Sequence, residues 1–167
     1  MRLSNFFRTP ETLLSVMLTL ACSPALRAQA FAQGNVLNFV PPRKLIAKPG
    51  ATVDSALSLE LRPGYHVNSN TPSDEYLIPL RLTWNSGPLE ATGFAFPQPR
   101  MEKYAFSEKP LSVFTGDFQI VTHFKAPANA APGPATLTGK LRYQACNNSM
   151  CLPPKTLDIT QQVEIVK

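Results

Sequence analysis

Apolar residues recurring at every second position, turn-forming clusters between those runs, and 17 prolines in 167 residues together predict an all-β fold. Alternation at period two sends successive side chains to opposite faces of a strand, so one set can be buried while the other stays solvated. Proline fixes φ and lacks an amide proton, which penalises helix interiors. No amphipathic stretch of three helical turns stands out. In chain order, Val53, Ser55, Leu57, Leu59 and Leu61 alternate with Thr52, Asp54, Ala56, Ser58 and Glu60, and Pro63-Gly64 ends that run with a turn. Ile78, Leu80, Leu82 and Trp84 alternate with Pro79, Arg81 and Thr83 before Ser86-Gly87-Pro88. Residues 97–110 break the pattern and read as a long loop of the kind that covers or forms binding surfaces. After Thr115-Gly116-Asp117, a third face is built from Phe118, Ile120, Thr122 and Phe124. Beyond Pro132-Gly133-Pro134, Leu137, Gly139, Leu141, Tyr143 and Ala145 oppose Thr138, Lys140, Arg142 and Gln144. A last run, Leu157, Ile159, Val163 and Ile165, follows Pro153-Pro154. Many short strands with turns at this spacing predict an antiparallel β-sandwich, immunoglobulin-like in outline.

The N-terminus reads as an export signal. Arg2 and Arg8 precede a short apolar run at 13–21, and Ala28-Gln29-Ala30 offers an A-x-A cleavage site. The run is too short to span a bilayer, which disfavours an uncleaved anchor. Cys22 after Leu20-Ala21 offers an alternative, lipidation, although Thr19 fits a lipobox poorly. A signal peptide at 1–30 leaves a single domain at 31–167, periplasmic or secreted. Removing 1–30 takes Arg2, Arg8, Arg27 and Glu11 from 16 basic and 11 acidic residues, leaving 13 against 10. The excess of +3 is scattered rather than clustered, so nucleic acid is not an expected partner. Cleavage also leaves two cysteines, Cys146 and Cys151, in an oxidising compartment.

Those cysteines carry the only evident chemistry. They sit in Cys146-Asn147-Asn148-Ser149-Met150-Cys151, between two strand-like runs, so a bond between them would lie at a hairpin tip. It is sterically feasible for Cα atoms roughly 4.4–6.8 Å apart. Three readings stay open on spacing alone. A structural staple over so short a loop contributes about 2 kcal/mol. A redox pair exchanges with partner thiols that reach one sulfur along the S–S axis. Soft-metal handling is the third, since Cys146, Met150 and Cys151 are ligand types suited to Cu(I). Other chemistries find little support. His66 and His123 are the two histidines, and no serine lies in a G-x-S-x-G context. Asp74-Glu75 reads as a solvated turn, and neither a phosphate-binding glycine loop nor a zinc-type cysteine array is present. No cofactor is expected.

Tyr143-Gln144-Ala145-Cys146 and Cys151-Leu152-Pro153-Pro154 resemble the YQxC…CxPP signature of the N-terminal periplasmic domain family of the thiol:disulfide interchange protein DsbD. Residues 63–70 and 107–111 resemble further segments recurrent in that family. The resemblance implies an immunoglobulin-like protein-disulfide reductase that takes electrons from a membrane thiol relay. It passes them to thioredoxin-like periplasmic proteins, including cytochrome c maturation factors. Carried onto this chain, Cys151 would attack the target disulfide and Cys146 would resolve the mixed disulfide. Family members shield the pair with an aromatic on a cap loop, for which Tyr104 and Phe106 are both candidates. His66, Asn68, Tyr143, Gln144 and Pro153 are the expected surroundings. Well-known members carry tyrosines where His66 and Asn68 fall, and one more residue between the cysteines. The sequence runs to Lys167 without a membrane relay or thioredoxin-like domain, so a separate protein is expected as the donor. Nothing strongly cationic flanks the cysteines, so neither thiol pKa is expected to be much depressed. The rival of another class is a non-catalytic exported binding module with a structural disulfide.

Overall fold

Strands account for all the regular structure in the computed structural model, which describes residues 34–167; the expected leader and Cys22 lie outside those residues. In chain order they are β1 (Leu37–Val40), β2 (Leu45–Ala47), β3 (Thr52–Leu61), β4 (His66–Asn68), β5 (Arg81–Trp84) and β6 (Glu90–Ala95). Then come β7 (Arg100–Glu102), β8 (Leu111–Thr115), β9 (Phe118–Lys125), β10 (Gly133–Tyr143), β11 (Ala145–Cys146) and β12 (Lys155–Ile165). They assemble into three four-stranded sheets, ordered β1-β3-β9-β6, β2-β12-β10-β5 and β11-β4-β8-β7. The fold is all-β and immunoglobulin-like, as the alternation predicts.

The long strands obey the period of two. In β3, Ser55, Leu57, Leu59 and Leu61 are buried; in β10, Leu137, Gly139, Leu141 and Tyr143 are. Their inward faces join Ile120 of β9 and Ile159 of β12 in the main core. Burying a large aliphatic side chain contributes roughly 1.5–3 kcal/mol, so this alternation is what holds the first two sheets face to face. Two polar contacts cross the same interface. Trp84 Nε1 of β5 donates to Thr122 Oγ1 of β9 at 3.1 Å, and the Trp84 ring meets Phe124 edge-on at 5.3 Å. Ser55 Oγ of β3 donates to Gln161 Oε1 of β12, and Gln161 Nε2 donates to the Arg43 carbonyl at 2.7 Å. Gln161 breaks the apolar alternation of β12 yet is fully buried, because its amide is bonded on both sides.

Four features depart from the expectation of a wholly antiparallel sandwich with a loop at 97–110 and unbroken runs between turns. β2 runs parallel to β12, pairing Val163 with Leu45 and Ile165 with Ala47. The chain leaves the first sheet after β1 at Pro41-Pro42, which lack ladder donors, and joins the second beside β12. Within 97–110 lies β7, which pairs with β8 through Arg100↔Val113 and Glu102↔Leu111. Thr115-Gly116-Asp117 does turn, with Gly116 at φ 67°, but it joins β8 in the third sheet to β9 in the first. The expected run through Ala145 also divides. β10 stays with the second sheet to Tyr143, and one residue later β11 pairs with β4 in the third. This switch at Gln144 is what delivers the cysteine hairpin to the third sheet.

Candidate functional site

Cys146 and Cys151 are joined, with Cα atoms 3.9 Å apart, closer than the 4.4–6.8 Å usual for a disulfide. The two residues also form an antiparallel bridge, and the backbone closes around it. Leu152 N donates to Ala145 O at 2.8 Å, and Asn147 N donates to Met150 O at 2.9 Å. Inside the turn, Asn147 Oδ1 accepts from the amides of Ser149 and Met150, both at 2.9 Å. An asparagine side chain standing in for a backbone acceptor is a common way to fix a tight turn. The two cysteines differ in exposure: Cys146 is fully buried, Cys151 is partly exposed, and Met150 beside it is 58% exposed.

Gln144, at the sheet switch, ties the hairpin to its neighbours. Its Nε2 donates to Leu152 O at 3.2 Å, and its Oε1 accepts from Asn68 Nδ2 at 3.3 Å. Asn68 Nδ2 also donates to Ile78 O at 3.0 Å. Of the expected surroundings, Gln144 and Asn68 therefore act as a bonded pair. Tyr143 instead lies in the main core, where burial pushes its hydroxyl pKa up. Pro153 is exposed on the exit from the hairpin.

The aromatic residues stack. β11 pairs with β4 in the register Cys146↔His66, so the imidazole lies on the same sheet face as the buried cysteine. Tyr104 lies over His66 with ring centroids 3.8 Å apart and planes within 16°. Phe106 continues the stack, 5.7 Å from Tyr104 and 6.3 Å from His66. Tyr104 is only 8% exposed and packs with Leu77, Leu111 and Val113, whereas Phe106 is 38% exposed. The Tyr104 hydroxyl donates to Glu102 Oε2 at 2.6 Å. Burial first, and this carboxylate second, push the tyrosine pKa well above its ordinary value. His66 is 2% exposed, and desolvation lowers its pKa to about 4 against a smaller opposing pull from Glu102. Its Nε2 is buried without a hydrogen-bond partner among the described residues. A cleft of about 480 Å³ opens beside the stack, lined by Arg62, His66, Glu102, Tyr104, Asp117 and Asn148 among others.

Sequence reasoning did not anticipate Glu102 or Asn147. Glu102 had a legible signal, since a residue two before Tyr104 shares its face if the segment is extended. Asn147 had one too, as a turn-forming type directly after a cysteine. Among the described residues no group of three or more His, Cys, Asp or Glu is placed to hold a metal ion.

Residues 37–162 match the family described as "Thiol:disulfide interchange protein DsbD, N-terminal". No curated protein matches the chain. Among solved structures, the N-terminal periplasmic domain of ScsB from Proteus mirabilis is similar at 17% identity and a TM-score of 0.46. That alignment covers 68% of this chain and 43% of the other, so the chain spans less than half of that relative's length. A type I cohesin–dockerin complex from Clostridium thermocellum aligns at 14% identity and a TM-score of 0.43, over 79% of this chain and 100% of that one. The family match takes in both cysteines, the rings stacked beside them and all but the last residues of β12, and the chain belongs to the DsbD N-terminal domain family of thiol:disulfide interchange proteins.

Proposed function

We propose that the Cys146–Cys151 pair is a working redox couple that carries reducing equivalents to thioredoxin-like periplasmic proteins, with a separate membrane thiol relay as donor. The observation that carries this reading is the unequal exposure of the two cysteines, Cys146 fully buried and Cys151 partly exposed at the hairpin tip. Exchange needs one reachable sulfur and one protected sulfur that recloses the ring. In the reduced protein, the Cys151 thiolate attacks one sulfur of a client disulfide, and the other client sulfur leaves as a thiolate. Cys146 then attacks Cys151 Sγ, releasing the second client thiol; the client gains two electrons and the pair is reoxidised. Tyr104 is the cap, because it covers the His66 ring that flanks Cys146 and is held by Glu102, while Phe106 rests outside it. Export by a leader at 1–30 would place the domain in the periplasm.

The test is trapping. Cys146→Ala, mixed with oxidised thioredoxin-fold proteins, is expected to accumulate mixed disulfides through Cys151, and Cys151→Ala is expected to accumulate none. A reduction potential above about −300 mV agrees with exchange, whereas one well below it marks a structural staple. Failure to trap any partner, together with such a low potential, would overturn the reading.

A further inference from the structure

We propose that His66 is the proton partner of Cys146, a base exposed to its task when Tyr104 moves aside. The inference rests on the exchange reading above and adds a residue to it. Resolution of a mixed disulfide requires Cys146 to lose its proton, yet Cys146 has no exposure to solvent that could take it. A buried thiol without a nearby acceptor resists ionisation. His66 is the residue directly opposite Cys146 on β4, and side chains of opposed residues share a face with Cβ atoms roughly 4.5–5.5 Å apart. Its Nε2 is buried and makes no hydrogen bond among the described residues. A register that sets an imidazole opposite a cysteine, with one ring nitrogen uncommitted, is an arrangement from which a general base can act.

The stack explains how such a base is kept in reserve. With Tyr104 at 3.8 Å, burial holds the imidazole neutral and weakly basic, near a pKa of about 4. When Tyr104 moves off the ring, solvation returns it toward its ordinary value of about 6.5. Of the groups around it, the Glu102 carboxylate favours that rise. Glu102 of β7 and the Tyr104 hydroxyl lie on the stacked side, while Arg62 and Asp117 line the same cleft. Thr115, the partner of His66 on β8, does not ionise. In the resolving step the bond between Cys151 Sγ and the client sulfur breaks as the Cys146–Cys151 bond forms. The client sulfur takes the electron pair, and the Cys146 proton passes to His66. The reverse step, with an incoming thiolate on Cys151, returns that proton to the departing Cys146 sulfur.

Reaction of the reduced protein with 5,5′-dithiobis(2-nitrobenzoate) separates the two steps. The first nitrothiobenzoate released reports attack by Cys151, and the second reports resolution by Cys146. In the native chain the second phase is expected to hold level from about pH 6.5 upward, following the imidazole. In His66→Phe, which keeps an aromatic in the stack, the second phase should slow relative to the first by about 100-fold at pH 7. It should also fall about tenfold per pH unit below the thiol pKa, as expected when hydroxide must do the work. His66→Gln, polar but not basic, should behave like the Phe variant, and its agreement excludes a loss of packing as the cause. An unchanged phase ratio and pH profile in both variants would overturn the assignment to His66 while leaving exchange intact. Equal slowing of both phases would also overturn it, pointing to a distorted hairpin. Release of only one equivalent by the native protein would instead remove the exchange reading itself, and this inference with it.

Discussion

At the scale of single residues, Tyr104 stacks on His66, the residue paired with Cys146 across the strands. Tyr104 combines a stacked ring with a hydroxyl anchored to Glu102, so truncation removes both packing and anchor. Tyr104→Ala is expected to speed reduction of the pair by dithiothreitol roughly tenfold, the size of effect given by about 1.4 kcal/mol of lost cover. Tyr104→Phe, which keeps the ring and loses the anchor, should fall between, and stopped-flow reduction distinguishes them. His66 sets a pH dependence. Its folded pKa of about 4 lies below the ordinary 6.5, so the folded state binds fewer protons than the unfolded one. Its effect is therefore absent above pH 6.5, and stability falls as pH drops from 6.5 toward 4. Urea unfolding at pH 7 and pH 4.5 should differ by about 2–3 kcal/mol more in the native chain than in His66→Phe. Both cysteines were legible from spacing and neighbours. The His66–Cys146 pairing was not, because residues so distant in sequence meet only through the β4–β11 register.

At the scale of elements, legibility followed length. β3, β9, β10 and β12 run for 8 to 11 residues each, enough alternation to declare which face is buried. β2, β4, β7 and β11 have two or three residues each, and so short a run carries no period. Two positions show how tightly neighbouring strands constrain one another. Gly139 of β10 faces Trp84 of β5, and an added Cβ would lie 2.5 Å from the Thr83 carbonyl oxygen and 2.8 Å from the indole. Gly139→Ala should therefore cost about 1–3 kcal/mol by overpacking, visible as a lower urea midpoint with unchanged slope. Asn147→Ala removes an acceptor shared by two turn amides and should cost about 1 kcal/mol. Faster amide exchange at Ser149 and Met150 would locate that loss in the hairpin.

At the scale of the whole molecule, the disulfide closes a small loop already shaped by backbone hydrogen bonds and an asparagine turn. Reduction should therefore lower the unfolding free energy by no more than about 2 kcal/mol. The domain should stay folded in both redox states, with the main core undisturbed. Matched urea titrations with and without dithiothreitol measure this directly, and loss of the fold on reduction would mark a staple instead.

The amino-acid sequence by itself determined the strand class, the buried faces of the long strands, the cysteine pair and the family to which it belongs. These are properties of local period and short-range spacing. Only the tertiary structure decided that the hairpin joins the third sheet, that Tyr104 rather than Phe106 lies against His66, and that His66 stands opposite Cys146. Such contacts depend on how distant segments come together, and a shift of one residue in the β4–β11 register would send His66 to the face away from Cys146.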